Sequence, residues 1–134
     1  MTVEAAVILV VEDNPDVRKV AVAQLASLGY ATIEAEDTAS ALGILGGARP
    51  IDLLFTDVVL PGDATGLDLG RQARALRPGL AVLYTSGFAE TSFQDNAQFD
   101  TVRDHLIAKP YRLRDLASKV KEILLAAGRT ARGA

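Results

Sequence analysis

Three carboxylates, one hydroxyl and one ammonium stand where they could act together. Glu12-Asp13, Thr56-Asp57, Thr85-Ser86-Gly87 and Lys109-Pro110 each come at the end of a short apolar run. Those runs are Val7 to Val11, Leu53 to Phe55, Val82 to Tyr84 and Leu106 to Ala108. Continuous apolar runs of this length suit strands buried on both faces of a parallel sheet. Groups that follow such strands gather at one edge of the sheet. Two like charges about 5 Å apart repel by roughly 3 kcal/mol at an effective dielectric of 20. Three carboxylates at that edge therefore need either a proton on one of them or a cation among them.

A hard divalent ion with oxygen ligands answers that need. Mg²⁺ is the expected ion, with Mn²⁺ as an alternative. It keeps several waters and takes one or two protein carboxylates plus phosphate oxygens. Asp13 and Asp57 are the expected direct ligands, with Glu12 acting directly or through water. The carbonyl oxygen of Val59, two residues past Asp57, is a further candidate. A carboxylate can also be a nucleophile. In phosphoryl transfer the protein mainly positions groups and neutralises charge on the equatorial oxygens. The metal could take one such oxygen, Lys109 a second and the Ser86 hydroxyl a third, while Gly87 keeps the approach open. Asp57 lies centrally and is the best nucleophile of the three acids.

The rest of the chain supplies the elements that would hold these groups. Ala31 to Ala35 is a weaker apolar segment that fits an edge strand. Val17, Val20, Ala21, Leu25 and Leu28 recur at helical steps, as do Leu113, Leu116, Ala117, Val120, Ile123 and Leu124. Asn14-Pro15 is a good helix start and Gly29 a good stop. Asp37 or Thr38 caps a second helix running to Leu45, and a third fits Leu67 to Leu76, ending before Pro78. A short helix is expected between Ala89 and Asp104. Strands and helices thus alternate in βα units, which predicts an α/β fold: a doubly wound, three-layer sandwich around a parallel sheet of five strands. The expected strand order is the flavodoxin-like 2-1-3-4-5, with the site near the switch point between strands 1 and 3.

Bulk properties agree with one domain, expected over residues 1–127 with a flexible tail at 128–134. The chain has 134 residues, 49% hydrophobic and 23% charged, enough to bury a core. Its net charge of -3 disfavours direct nucleic-acid binding, which needs a basic face. The absence of cysteine excludes disulfides, thiolate zinc sites and cysteine nucleophiles and fits a reducing cytoplasm. The longest apolar run, Ala5 to Val11, has seven residues, far short of the roughly 20 that span a membrane. Glu4 argues against an export signal, so a cytoplasmic location without membrane contact is expected.

The ordered set Glu12-Asp13, Asp57 with Pro61-Gly62, Ser86-Gly87 and Lys109-Pro110 resembles the receiver domains of response regulators in two-component systems. The resemblance covers about residues 7–126. The wording around Asp57 and Ser86 is most similar to receivers attached to hybrid sensor histidine kinases. It implies Mg²⁺-dependent transfer from a phosphohistidine, on a sensor kinase or histidine phosphotransfer protein, to Asp57. It implies a signalling phosphoacceptor that assists its own phosphorylation and dephosphorylation, not a separate enzyme. It implies a cis Lys109-Pro110 bond. It also implies that Ser86 is drawn inward by the phosphoryl group, repacking the face of the fourth helix, fifth strand and last helix. That face is also the first candidate for a homodimer.

Two departures from the family pattern bear on function. The usual switch aromatic falls three residues before the lysine, where this chain has Leu106. The coupled swing of a Tyr or Phe cannot occur there, which keeps open a receiver-like domain that binds partners without phosphate. The loop Pro61 to Gly66 is one residue longer than the commonest form. Val59 and Phe88 are apolar and flank the site, where they are expected to hinder attacking water. Tyr84 is expected in the core, and His105, the single histidine, on the surface. Arg112, Arg114, Lys119 and Lys121 are expected to form a solvated helix face. Aspartate-nucleophile phosphatases place a second acid two residues after the nucleophile that follows strand 1. Here Pro15 stands two residues after Asp13, and the chain has no G-x-x-x-x-G-K-S/T or G-x-G-x-x-G loop for nucleotides.

Overall fold

The computed structural model describes residues 5–62, 65–87 and 105–128. Five strands form one parallel sheet: β1 (Val7–Val11), β2 (Ala31–Ala35), β3 (Leu53–Asp57), β4 (Ala81–Ser86) and β5 (Leu106–Ala108). Their order is β2-β1-β3-β4-β5, as the sequence predicts, so β2 is an edge strand and β3 is central. The described helices are α1 (Pro15–Ser27), α2 (Thr38–Leu45), α3 (Gly66–Leu76) and α4 (Leu113–Ala126). The short helix expected between 89 and 104 and nearly all of the expected tail lie outside the described residues. So does most of the Phe88 neighbourhood and part of the proposed dimer face.

Two apolar layers clamp the sheet. Leu9, Val11, Leu54 and Val82 face the α2 and α3 side with Leu45, Leu69 and Ala73. Ile8, Val10, Phe55 and Leu83 face the α1 and α4 side with Ala21, Leu25, Leu116, Val120 and Leu124. This alternation is the period-two geometry of a strand covered on both faces. Tyr84 is buried, as expected, and belongs to the first layer with Leu106 packed against it. A Cβ on Gly70 of α3 would stand 1.8 Å from the Tyr84 hydroxyl, so the ring tip rests directly on that helix.

The predicted caps are present. The Asn14 side chain accepts from the backbone N–H of Asp16 at 2.9 Å and Val17 at 3.1 Å. Asp37, not Thr38, caps α2 in a reciprocal box with Ser40. α3 begins one residue earlier than the apolar pattern suggests, because Thr65 and Asp68 make a second box. Gly29 adopts φ of 93° after α1, which glycine permits cheaply.

Three readings are corrected. Val17 and Val20 belong to the apolar pattern of α1 yet are 42% and 59% exposed. Only Ala21 and Leu25 of that stripe are buried. His105 is partly buried, with Nδ1 3.1 Å from the carbonyl oxygen of Val82. β3 and β4 run two residues past the expected ends, Phe55 and Tyr84, to Asp57 and Ser86, because pairing continues to Asp57↔Thr85 and Ser86↔Ala108. Arg112, Arg114 and Lys121 are exposed as expected, and Lys119 pairs with Glu122 at 3.4 Å.

Candidate functional site

β1, β3, β4 and β5 all end at the same edge of the sheet, and each delivers one group there. Asp57 ends the central strand and is 6% exposed. Its Oδ1 accepts the Val59 N–H at 3.1 Å, and its Oδ2 accepts from Lys109 Nζ at 2.8 Å. The backbone fixes these placements. Val58 N–H donates to Thr85 O at 2.9 Å, and Lys109 N–H donates to Ser86 O at 2.7 Å. The Lys109-Pro110 peptide is cis, as expected.

Glu12, at the end of β1, is buried. Its Oε1 accepts the Asn14 N–H at 3.1 Å. Burial, and secondly a hydrogen bond shared with the Asp57 carboxyl, push its pKa up to about 7. Repulsion from Asp57 adds to the rise, while the Asn14 N–H and the Lys109 ammonium oppose it. Asp13, the next residue, is exposed. Ser86 is fully buried, and neither its hydroxyl nor that of Thr85 has a hydrogen-bond partner. Val59 is 52% exposed beside Asp57.

The structure thus joins Asp57 and Lys109 in direct contact, with Glu12 close enough to Asp57 to share a hydrogen bond and Ser86 at the end of the neighbouring strand. It does not bring all three acids together: among the described residues no group of three or more His, Cys, Asp or Glu side chains could hold a metal ion. The physical reason is visible in the contacts. Lys109 neutralises Asp57, and Glu12 answers its burial by favouring the protonated form. Even so, the donors at this edge are hard oxygens, and deprotonation of Glu12 would leave three carboxylates there against one ammonium. That set suits a divalent ion held by one or two carboxylates and water rather than by a protein cage. The buried, unpaired Ser86 hydroxyl is a donor in need of an acceptor.

Several contributors were invisible to spacing arguments. Arg18 on α1 donates to the Glu12 carbonyl at 2.8 Å and to Glu34 at 3.0 Å, tying helix, β1 end and β2 together. Gly66 opens α3 against the backbone that follows Asp57, where a Cβ would stand 1.9 Å from the Asp57 carbonyl oxygen. Its N–H donates to Val58 O at 2.7 Å. Tyr111, two residues past Lys109, meets Phe55 edge to face at 6.4 Å and feels the Glu12 charge. A larger groove of about 350 Å³ lies at the opposite end of β4, lined by Arg74, Leu80, His105 and Ile123. Its described lining holds no carboxylate, and its one imidazole, His105, has Nδ1 3.1 Å from the Val82 carbonyl oxygen.

Comparison with known proteins places this geometry. The family described as response regulator receiver domain matches residues 8–121. The chain is 36% identical to the response regulator receiver protein CpdR of Brucella abortus, covering 90% of this chain and 98% of that protein. It is 37% identical to the sensor kinase CckA of Brucella abortus, covering 90% of this chain and only 13% of that protein. A crystal structure of a response regulator receiver protein from Sinorhizobium medicae superposes with a TM-score of 0.80 at 25% identity, over 94% of this chain and 99% of that one. A CheY-like receiver domain from Methanospirillum hungatei gives 0.75 at 28% identity, over 93% and 98%.

Proposed function

The chain belongs to the response regulator receiver domain family of two-component systems, and on that premise we propose that Asp57 accepts a phosphoryl group and thereby switches a protein-interaction surface. The observation that carries this reading is the 2.8 Å contact of Lys109 Nζ with Asp57 Oδ2 at the end of the central strand. A carboxylate nucleophile and the cation that would stabilise transferred charge already share one place.

The donor is a phosphohistidine on a sensor kinase or histidine phosphotransfer protein. An Asp57 carboxylate oxygen attacks phosphorus, the P–N bond breaks, and the imidazole leaves with the electron pair. Lys109 balances charge on one phosphoryl oxygen and the Ser86 hydroxyl donates to another. Asp57, Asp13, Glu12 and the Val59 carbonyl are the residues that would hold Mg²⁺, with Mn²⁺ as a substitute. The bound ion would neutralise charge on a phosphoryl oxygen. Val59 shields the acyl phosphate from water on its exposed side. The domain acts as a phosphoacceptor in the cytoplasm, without direct nucleic-acid or membrane contact.

Incubation with acetyl phosphate and intact-mass measurement tests the proposal. A single phosphoryl adduct is expected that requires Mg²⁺ and is absent in Asp57→Ala. No adduct from acetyl phosphate or from a phosphorylated histidine phosphotransfer protein would refute it.

Leu106 supports a second reading, a phosphate-independent interaction domain. It packs against the core beside Tyr84 and offers no aromatic ring to swing. Partner binding that is equal in the wild type and in Asp57→Ala would favour this reading.

A further inference from the structure

Thr85 breaks the pattern of its own strand. Ala81 and Leu83 of β4 lie in the apolar layer that α1 and α4 cover, together with Phe55 and Ile107. Thr85 is next in that alternation, where an apolar residue would pack without cost. Instead the chain places a hydroxyl there, 7% exposed and without a hydrogen-bond partner. Buried hydroxyls are normally satisfied by protein or by ordered water.

The surroundings explain it. Thr85 lines a narrow void of about 20 Å³ with Val10, Glu12, Phe55, Lys109 and Tyr111. A void needs roughly 10–15 Å³ to hold one water, and that water needs two to four polar partners. Glu12, Thr85 and Lys109 are lining residues with polar side chains, and a volume of about 20 Å³ leaves no room for a larger ligand. Thr85 also sits directly beside the acceptor, since its Cα is the register partner of Asp57.

We propose that Thr85 is a positioning residue that anchors one ordered water behind Lys109, and that this water helps hold the ammonium against Asp57 and the incoming phosphoryl group. The water accepts from Lys109 Nζ and exchanges hydrogen bonds with the Thr85 hydroxyl and the Glu12 carboxyl. The kinetic part of this proposal rests on phosphoryl transfer to Asp57; the water site itself does not.

The test has two arms on the full chain. A high-resolution crystal structure should show one water within hydrogen-bond distance of Thr85 Oγ1 and of Glu12 or Lys109, and Thr85→Val should lose it. With acetyl phosphate at saturating Mg²⁺, Thr85→Val should be phosphorylated about tenfold more slowly, the worth of one hydrogen bond. Thr85→Ser should restore the rate, and the calorimetric Kd for Mg²⁺ should stay unchanged in both variants. Wild-type rates in Thr85→Val, or a dry void with the Thr85 hydroxyl bonded to backbone, would overturn the proposal. If the wild type takes up no phosphoryl group, the phosphoacceptor reading fails, and the crystallographic arm still decides whether the water site exists.

Discussion

At the residue scale the site is a small electrostatic balance. Lys109 pairs with Asp57 at 2.8 Å, and Glu12 is raised from 4.5 to about 7, first by burial and then by the bond it shares with Asp57. Between those two pH values the folded cation-free protein binds more protons than the unfolded chain. Its stability should therefore fall as pH rises through that window. Thermal unfolding in chelator should show that decline, and Glu12→Gln should flatten it. A profile that is the same in both proteins would contradict the assignment. Val59 offers another check. If it shields the acyl phosphate, Val59→Asn should shorten the phosphorylated lifetime several-fold. An unchanged decay of the adduct by mass spectrometry would remove Val59 from the account. The residues proposed to carry this chemistry were readable in the sequence because each stands at the end of an apolar run. Thr85, Arg18 and Gly66 were not, since their roles depend on packing between distant segments that no spacing records.

At the element scale the sequence revealed strands better than helix faces. Four short apolar runs and the weaker segment Ala31 to Ala35 became five strands in the expected order, because burial on both faces leaves little ambiguity for β1, β3 and β4. The α1 stripe was misleading, since Val17 and Val20 repeat at helical steps but are 42% and 59% exposed. Cap chemistry was legible at Asn14 and at Asp37, where the side chain type itself does the work. Asn14→Ala should cost about 1 kcal/mol in denaturant unfolding. Gly66 demands more, because a Cβ there would meet the Asp57 carbonyl oxygen at 1.9 Å. Gly66→Ala should destabilise by about 1–3 kcal/mol, the usual cost of overpacking. It should also displace the backbone beside Asp57, slowing phosphorylation in the folded fraction. A variant with unchanged stability and rate would show that α3 does not brace the acceptor strand.

At the scale of the whole molecule, the fold is a five-stranded sheet covered on both faces, with the candidate site at one edge. The family match covers residues 8–121, and the chain spans 98% of one relative but 13% of another. The same domain thus serves both as nearly an entire protein and as a small part of a kinase. An excess of carboxylate charge at the edge predicts that a divalent cation stabilises the folded state. At roughly 100 times its Kd a ligand of the native state contributes about 2.7 kcal/mol. Mg²⁺ should raise the melting temperature, chelator should reverse the rise, and Asp57→Asn should weaken it. An equal rise in Asp57→Asn would place the ion elsewhere.

The central claim is that Asp57 itself carries the phosphoryl group. An acyl phosphate is reduced by borohydride to the corresponding alcohol, so the modified position can be read by peptide mass mapping. After phosphorylation in Mg²⁺, reduction should convert Asp57 alone, in the peptide that contains Leu53 to Leu60. Conversion at Asp13, or a stable adduct that borohydride leaves untouched, would contradict the assignment of the acceptor.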